Sequence, residues 1–343
     1  LYYNIGIKMK IDNNFFMKLA IDEAWKYQFL TYPNPAVGCV VVKGESEILA
    51  IEAHKSSGEA HAEVNALKAA FLKYYKNSAL KAIKKSDEIH EFLIKNHNNF
   101  FNDCTLYVTL EPCNHIGKTP ACANLISIIK PNRVIIAHED INKEALGGYE
   151  ALKNANIDVN IGLMKDEAYW LLYPFIKWNR GTFMFYKMAQ TLNGCIDGSI
   201  SSNMAKAYVH TLRDKIDLML IGGNTVRTDK PTLDARYVAG KAPDIFIYSK
   251  NKIFDDNIPL FKVPNRKVHI SNDLFKVLDY KFVMVEGTYT LLDELKEKLD
   301  FIVLLISPKI RDGINALNKL DLDFKIIHEN YIGEEKIVYL VRK

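Results

Sequence analysis

Three residues distant in the chain have to meet if any of them is to do chemistry: His61, Cys113 and Cys122. That requirement fixes much of the fold around them. Thr105 to Leu110 reads as a strand that delivers Cys113 just past its end. Thr119, as a cap, and Pro120, at a first-turn position, place Cys122 on the first turn of a helix. His61 and Glu63 begin a second helix, with Val64, Leu67, Ala70, Phe71 and Tyr74 at helical spacing. One imidazole and two thiolates are three ligands for zinc, and three leave a position open, the mark of a catalytic site. Glu63 is beside the metal without being a ligand, where a general base belongs. A structural zinc site needs a fourth ligand, and His115 is the residue that could supply it.

At 343 residues the chain is long enough for roughly two domains with full cores. Composition is that of a globular protein, and the net charge of +4 suits anionic small molecules without calling for nucleic acid. Five cysteines, odd and sparse, argue against a disulfide framework and for a reducing compartment, so a cytoplasmic protein is expected. No apolar run is long enough to span a membrane. The start of the chain lacks a signal-peptide pattern, and the eight residues before Met9 receive no fold role.

Along the chain, Phe15 to Leu30 reads as an amphipathic helix, and 36–42 with 48–53 as a hairpin of strands. The lysine- and asparagine-rich stretch 71–103 reads as a surface insertion of helical pattern. Strands alternate with helices up to 162, which predicts an α/β sandwich on a parallel or mixed sheet. Asp166 to Trp178 is a bridging helix. Strands follow at 183–188, 218–221, 245–248, 268–270, 282–285 and 301–306, with a strand–Gly–helix crossover at 283–299. The second half is therefore α/β with a mostly parallel sheet. The expected boundaries are 10–178 and 179–343. Cys39 and Cys104 read as packing thiols. His90, His97, His210, His269 and His328 read as surface or edge residues.

His-x-Glu followed by Pro-Cys and a further Cys is the zinc deaminase pattern. Here eight residues, not the usual two, separate the cysteines. With Pro33-Asn34-Pro35-Ala-Val-Gly38, His54 ahead of Gly58, and His115-Ile-Gly-Lys118-Thr-Pro120 inside the spacer, the sequence resembles the RibD-type bifunctional deaminase/reductase family of riboflavin biosynthesis. The resemblance runs through nearly the whole chain. It implies a cytidine-deaminase-like α/β/α sandwich followed by a dihydrofolate-reductase-like α/β domain. The family's zinc ligands fall on His61, Cys113 and Cys122, and its proton shuttle on Glu63. Asn34, His54, His115 and Lys118 fall where the family holds base and phosphate.

In the second half, Gly222-Gly223-Asn224-Thr225 and Glu286-Gly287-Thr288 are junctions whose backbone N–H groups suit phosphate. Lys187-Met-Ala189-Gln-Thr191-Leu-Asn193-Gly194, Leu212-Arg213, the run Gly222 to Arg236 and Val285-Glu286-Gly287 resemble the family's reductase motifs. The resemblance implies NADPH against Ala189, Thr225, Asp229, Thr288, Tyr289 and Thr290. It implies substrate against Arg213, Leu233, Arg236 and Glu286. The substrate implied is a small pyrimidine ribosylamino phosphate, deaminated and then reduced from ribosyl to ribityl, in a homo-oligomer (dimer or tetramer) with neither nucleic acid nor membrane as partner. The sequence departs from the family at Asn193 (Asp in the family), Thr288 (Gly), Ala121 (Pro) and the Asp140-Ile-Asn142-Lys loop. It departs also at Asp197 to Ser202, shortened so that the family's Trp is lost around Ser199. Two other readings stand beside this one. One is a nucleoside or RNA deaminase with a C-terminal binding module. The other is a zinc-stabilised protein whose reductase half has decayed.

Overall fold

The computed structural model describes residues 12–115, 117, 119–141, 147–315 and 321–343. It divides into two compact units between Tyr173 and Pro174. That point lies inside the bridging helix, whereas the sequence put the boundary after Trp178.

The first unit opens with α1 (Asn13–Trp25), capped by Asp12, whose carboxylate accepts from the Phe15 N–H at 3.1 Å. The helix is shorter than expected, because residues 26–34 continue as turns. Then come β1 (Gly38–Lys43), β2 (Glu47–Ala53), α2 (Ala62–Tyr74), α3 (Ser86–Asn96), β3 (Cys104–Leu110), α4 (Cys122–Ile129), β4 (Arg133–His138), α5 (Gly148–Asn154) and β5 (Asp158–Ile161). The sheet order is β2-β1-β3-β4-β5. Strand β1 pairs antiparallel with β2 and β3, while β3, β4 and β5 run parallel. This is the mixed α/β sheet read from the pattern. Helix α1 lies close on β1 at Gly38, where an added Cβ would sit 1.9 Å from the Ala20 carbonyl oxygen. Only glycine allows that approach.

The insertion is not a surface appendage. Leu80, Ile89, His90, Leu93 and Phe101 are buried, and α3 packs on α2 and α4. The helical periodicity of 86–96 held its buried face, but the surrounding lysines and asparagines masked it in composition. His90 and His210 are buried too, against the expectation of surface positions.

Helix α6 (Lys165–Arg180) crosses from one unit to the other. The second unit contains β6 (Phe183–Thr191), α7 (Asn203–Lys215), β7 (Leu218–Gly222), α8 (Gly223–Asp229), β8 (Asp244–Tyr248), β9 (Val268–Ser271), β10 (Phe282–Glu286), α9 (Tyr289–Leu295), β11 (Phe301–Ser307), β12 (Phe324–Ile332) and β13 (Glu335–Arg342). The order is β12-β13-β11-β6-β10-β7-β8-β9. Strands β6 to β11 are mutually parallel where they pair. The antiparallel hairpin β12–β13 closes one edge and was not read from the sequence, although Gly333 between two alternating runs is a hairpin signal. Leu291, Leu292 and Leu295 of α9 are buried on a core that includes Met184, Leu220, Val283 and Val285. Burial of each such side chain is worth roughly 1.5–3 kcal/mol.

Candidate active sites

The end of β3, the start of α4 and the residue before α2 converge. His61 is the N-cap of α2 and uses no side-chain bond to cap it, so its ring is free to face the cysteines. Its Nδ1 lies 3.6 Å from Cys113 Sγ and 3.4 Å from Cys122 Sγ. All three candidate ligand atoms lie within 4.8 Å of one another. Tetrahedral zinc with bonds of about 2.3 Å to sulfur and about 2.0 Å to nitrogen needs nitrogen–sulfur separations near about 3.5 Å. The residues therefore fit the metal in donor type and in spacing. The Cys122 backbone N–H donates to Cys113 Sγ at 3.4 Å. The Cys122 thiol donating to it holds the Cys113 thiol down to about 4. Cys122 is pushed up by that same bond and then by burial. Cys113 and Cys122 would hold a divalent metal as thiolates, so binding would release the proton their sulfurs share.

Glu63 follows on the first turn of α2 and is buried. Burial pushes its carboxyl up to about 7, against the pull of His61. His54 is buried, with its ring 5.4 Å from that of His61 at 82°. Its Nδ1 is 3.1 Å from the Ala60 carbonyl and its Nε2 is 3.1 Å from Asn34 Nδ2. A carbonyl only accepts, so Nδ1 carries the proton and Nε2 accepts from Asn34. Burial lowers this imidazole to about 4, so it is neutral. Asn34 and His54 are thus brought beside the ligand set as a bonded pair.

Other expected residues fare differently. His115 is exposed at the start of the spacer and makes no hydrogen bond to the ligands among the described residues. Lys118 lies outside the described residues. Thr119 does not cap α4, whose N-cap is Ala121 with no side-chain cap bond. Its Oγ1 instead lies 3.3 Å from His61 Nε2. Two functional residues were missed by the sequence reading of this unit: Thr119 in that role, and Glu111. The buried Glu111 carboxylate accepts from the Asp140 N–H at 3.2 Å and the Tyr149 N–H at 2.9 Å. Next to it, an added Cβ at Gly148 would sit 1.9 Å from the Pro112 carbonyl oxygen. The chain around Cys113 is clamped from that side. A glutamate at a strand end directly before Pro-Cys was the available signal. Cys39 and Cys104 are fully buried, as packing thiols should be.

In the second unit, β6, β10 and β7 are parallel neighbours, and their C-terminal ends gather most of the expected residues. Ligands bind at that end of open α/β sheets. Ala189 is on β6, Thr225 and Asp229 are on α8 after β7, and Thr288 stands at the N-cap position of α9 after β10 without a side-chain cap bond, with Tyr289 and Thr290 following. Tyr186 latches this turn, its hydroxyl donating to the Gly287 carbonyl at 2.5 Å and to the Thr288 carbonyl at 3.1 Å. Glu286 is the centre of a charged cluster. Lys187 Nζ lies 3.4 Å from Oε1, and Arg213 Nη2 lies 3.2 Å from Oε2. Burial alone would raise the Glu286 carboxyl, but Lys187 and Arg213 hold it below its ordinary value. Lys187 and Arg213 line a cavity of about 220 Å³. Leu233 sits in the left-handed region at φ 56°, and Arg266 donates to its carbonyl at 3.2 Å and to that of Thr232 at 2.6 Å. Arg236 is exposed and paired with Asp234 at 2.9 Å, outside that cavity's lining.

Comparison with known proteins agrees with both halves. Residues 10–138 match the cytidine and deoxycytidylate deaminase zinc-binding region, and residues 182–311 match the RibD C-terminal domain. The chain is 32% identical to the riboflavin biosynthesis protein RibD of Aquifex aeolicus over 97% of this chain and 99% of that one. With RibD of Escherichia coli it is 32% identical over 66% of this chain and 57% of that protein. A solved structure from Thermotoga maritima, titled a diaminohydroxyphosphoribosylaminopyrimidine deaminase/5-amino-6-(5-phosphoribosylamino)uracil reductase, superposes with a TM-score of 0.63. It is 26% identical, over 96% of this chain and 98% of that chain. With a deaminase zinc-binding domain followed by a reductase domain, and a curated relative matched from end to end, this chain belongs to the RibD family of riboflavin biosynthesis enzymes.

Proposed function

We propose that the chain acts twice on one small molecule, a diaminopyrimidinone carrying a ribosylamino 5′-phosphate. The first unit removes a ring amine by hydrolysis, and the second reduces the ribosyl group to ribityl with NADPH. The observation that carries this reading is the meeting of His61 Nδ1 with the Cys113 and Cys122 sulfurs at 3.6 and 3.4 Å, beside buried Glu63. When bound, zinc supplies Lewis-acid activation of water near neutral pH. Glu63 takes one proton of the water and delivers it to the ring nitrogen, then takes the second from the added hydroxyl and delivers it to the departing amine. A C–O bond forms, the C–N bond breaks, and the nitrogen leaves as ammonia. Asn34 spends its N–H on His54, which leaves its side-chain oxygen to accept from the substrate ring. His115 and Lys118 are assigned to the same substrate.

In the second unit NADPH supplies the hydride. Ala189, Thr225, Asp229 and the Thr288-Tyr289-Thr290 turn hold it at the strand ends. Glu286, Arg213, Leu233 and Arg236 hold the substrate, and the protein's part is orientation and charge. The free state of all five cysteines supports a reducing, cytoplasmic setting. Among the described residues no helix is long and apolar enough to cross a membrane. A homo-oligomer, dimer or tetramer, is part of the proposal, and light scattering on the purified chain tests it. The reaction itself is tested by stripping zinc with a chelator. Ammonia release should stop and return with added zinc, while NADPH oxidation on pre-deaminated substrate continues throughout. Ammonia release that survives full stripping would overturn the deaminase assignment.

A further inference from the structure

One face of α7 lines the cavity beside β6. Lys206, His210 and Arg213 occupy positions i, i+4 and i+7, so their side chains stand above one another. His210 is buried, and its ring stacks on Tyr237 with centroids 4.2 Å apart and planes at 26°. Its Nδ1 is buried and has no hydrogen-bond partner among the described residues, and the same is true of Arg213 Nε. Lys206 Nζ donates to Ser199 Oγ at 3.1 Å across the mouth of the cavity. Lys187 lines it from β6. Against these groups stand two carboxylates: Glu286, which Lys187 and Arg213 already share, and Asp234, which Arg236 already pairs. Burial, and then Arg213 beside it, keeps the His210 imidazole below its ordinary value, so the free protein holds a neutral ring there. The cavity therefore offers a surplus of positive charge, together with buried nitrogens that find no partner among the described residues. A ligand with several strong acceptor oxygens and negative charge completes it.

We infer that Lys206 and His210 are recognition residues for the phosphate of the second unit's substrate, acting with Arg213. This rests on the reading above that the second unit takes a ribose phosphate. It goes beyond that reading in naming two residues on α7 to which the resemblance assigned no role. Lys206 contributes a point charge released from Ser199. His210 contributes an in-plane donor held in place by Tyr237.

The test uses the full-length, zinc-loaded chain with ribose 5-phosphate as the binding probe and ribose as its control, measured by calorimetry. His210→Phe keeps the stack on Tyr237 and removes the nitrogens. Lys206→Met keeps the length and removes the charge. Each should weaken ribose 5-phosphate binding by about 10-fold, the loss of one charge-assisted contact, and leave ribose binding unchanged. In turnover the KM for phosphorylated, pre-deaminated substrate should rise by about 10-fold with kcat little altered. Ammonia release by the first unit serves as the control for folding. Equal losses on phosphorylated and unphosphorylated probes, or no loss on either, would overturn the inference. If His210-dependent binding of ribose 5-phosphate persists in a chain that never oxidises NADPH, the inference stands and the reductase reading fails. If NADPH oxidation is normal and both variants bind the probe like wild type, the reading stands and the inference fails.

Discussion

Thr119 Oγ1 lies 3.3 Å from His61 Nε2, the ring nitrogen turned away from the two cysteine sulfurs. The spacer between the cysteines thus reaches back to the histidine that would share a metal with them. Such partners fix the ring and its tautomer, and losing one costs about 10–100-fold in metal affinity. Thr119→Val, nearly the same shape without the hydroxyl, should weaken zinc binding by about that factor, read by competition with a chelator. Thr119→Ser should retain most of it. A valine variant that binds zinc like wild type would show the contact to be incidental.

Glu111 makes a second kind of clamp. Its carboxylate takes the N–H groups of Asp140 and Tyr149, at 3.2 and 2.9 Å, in a buried position. Glu111→Gln keeps the shape but turns an amide N–H toward one of those donors. Hydrogen bonds to charged groups are worth about 1.5–3 kcal/mol, so unfolding of the first unit should shift by roughly that amount. Ammonia release should fall with it. NADPH oxidation on pre-deaminated substrate is the internal control.

The deaminase half was the more legible in the sequence, for a physical reason. Metal ligands and a base must be particular residue types near particular element ends, so His61, Glu63, Cys113 and Cys122 stand out without coordinates. Thr119 did not, because Ser/Thr before a helix is ordinarily a cap, and only the fold shows that His61 competes for its hydroxyl. In the reductase half, the proposed site draws on the ends of separate strands, at Ala189, Thr225 and Glu286, and the local Gly junctions suggest phosphate without showing that these ends meet. His210 reads as a surface or edge residue in the sequence because its burial on α7 depends on Tyr237, which arrives from a segment distant in the chain. The β12–β13 hairpin is hard to read despite its turn, since none of the residues of its outer strand is buried.

Asn193 stands where the family has Asp, and the structure gives the change a use. Its amide donates to the Arg311 carbonyl at 2.7 Å while its oxygen accepts from the Arg311 N–H at 3.2 Å and the Thr191 hydroxyl at 2.7 Å. An aspartate cannot donate to that carbonyl. Asn193→Asp should therefore lower stability of the second unit by about 1 kcal/mol in denaturant titration. An unchanged midpoint would mean that the clasp contributes nothing.

The Glu286 cluster predicts a pH dependence. Lys187 and Arg213 hold this carboxyl below its ordinary value of 4.5 despite burial. Its contribution to stability is then fully present above the unfolded value and is lost as pH falls through the folded one. Glu286→Gln should be less stable than wild type at neutral pH, and the gap should narrow as pH falls below 4.5. A gap that widens on acidification would contradict the pairing.

The central claim, two chemistries in series on one substrate, is tested most directly by Glu63→Gln. The measurement is ammonia and NADPH followed together in one reaction with the diaminopyrimidinone ribosylamino 5′-phosphate. Wild type should release one ammonia per NADPH consumed. The variant should bind zinc normally and lose ammonia release by about 100-fold or more, the usual worth of a positioned acid–base group. It should still oxidise NADPH when given the deaminated intermediate. A variant that deaminates at the wild-type rate, or a wild type that consumes no NADPH on that intermediate, would contradict the account.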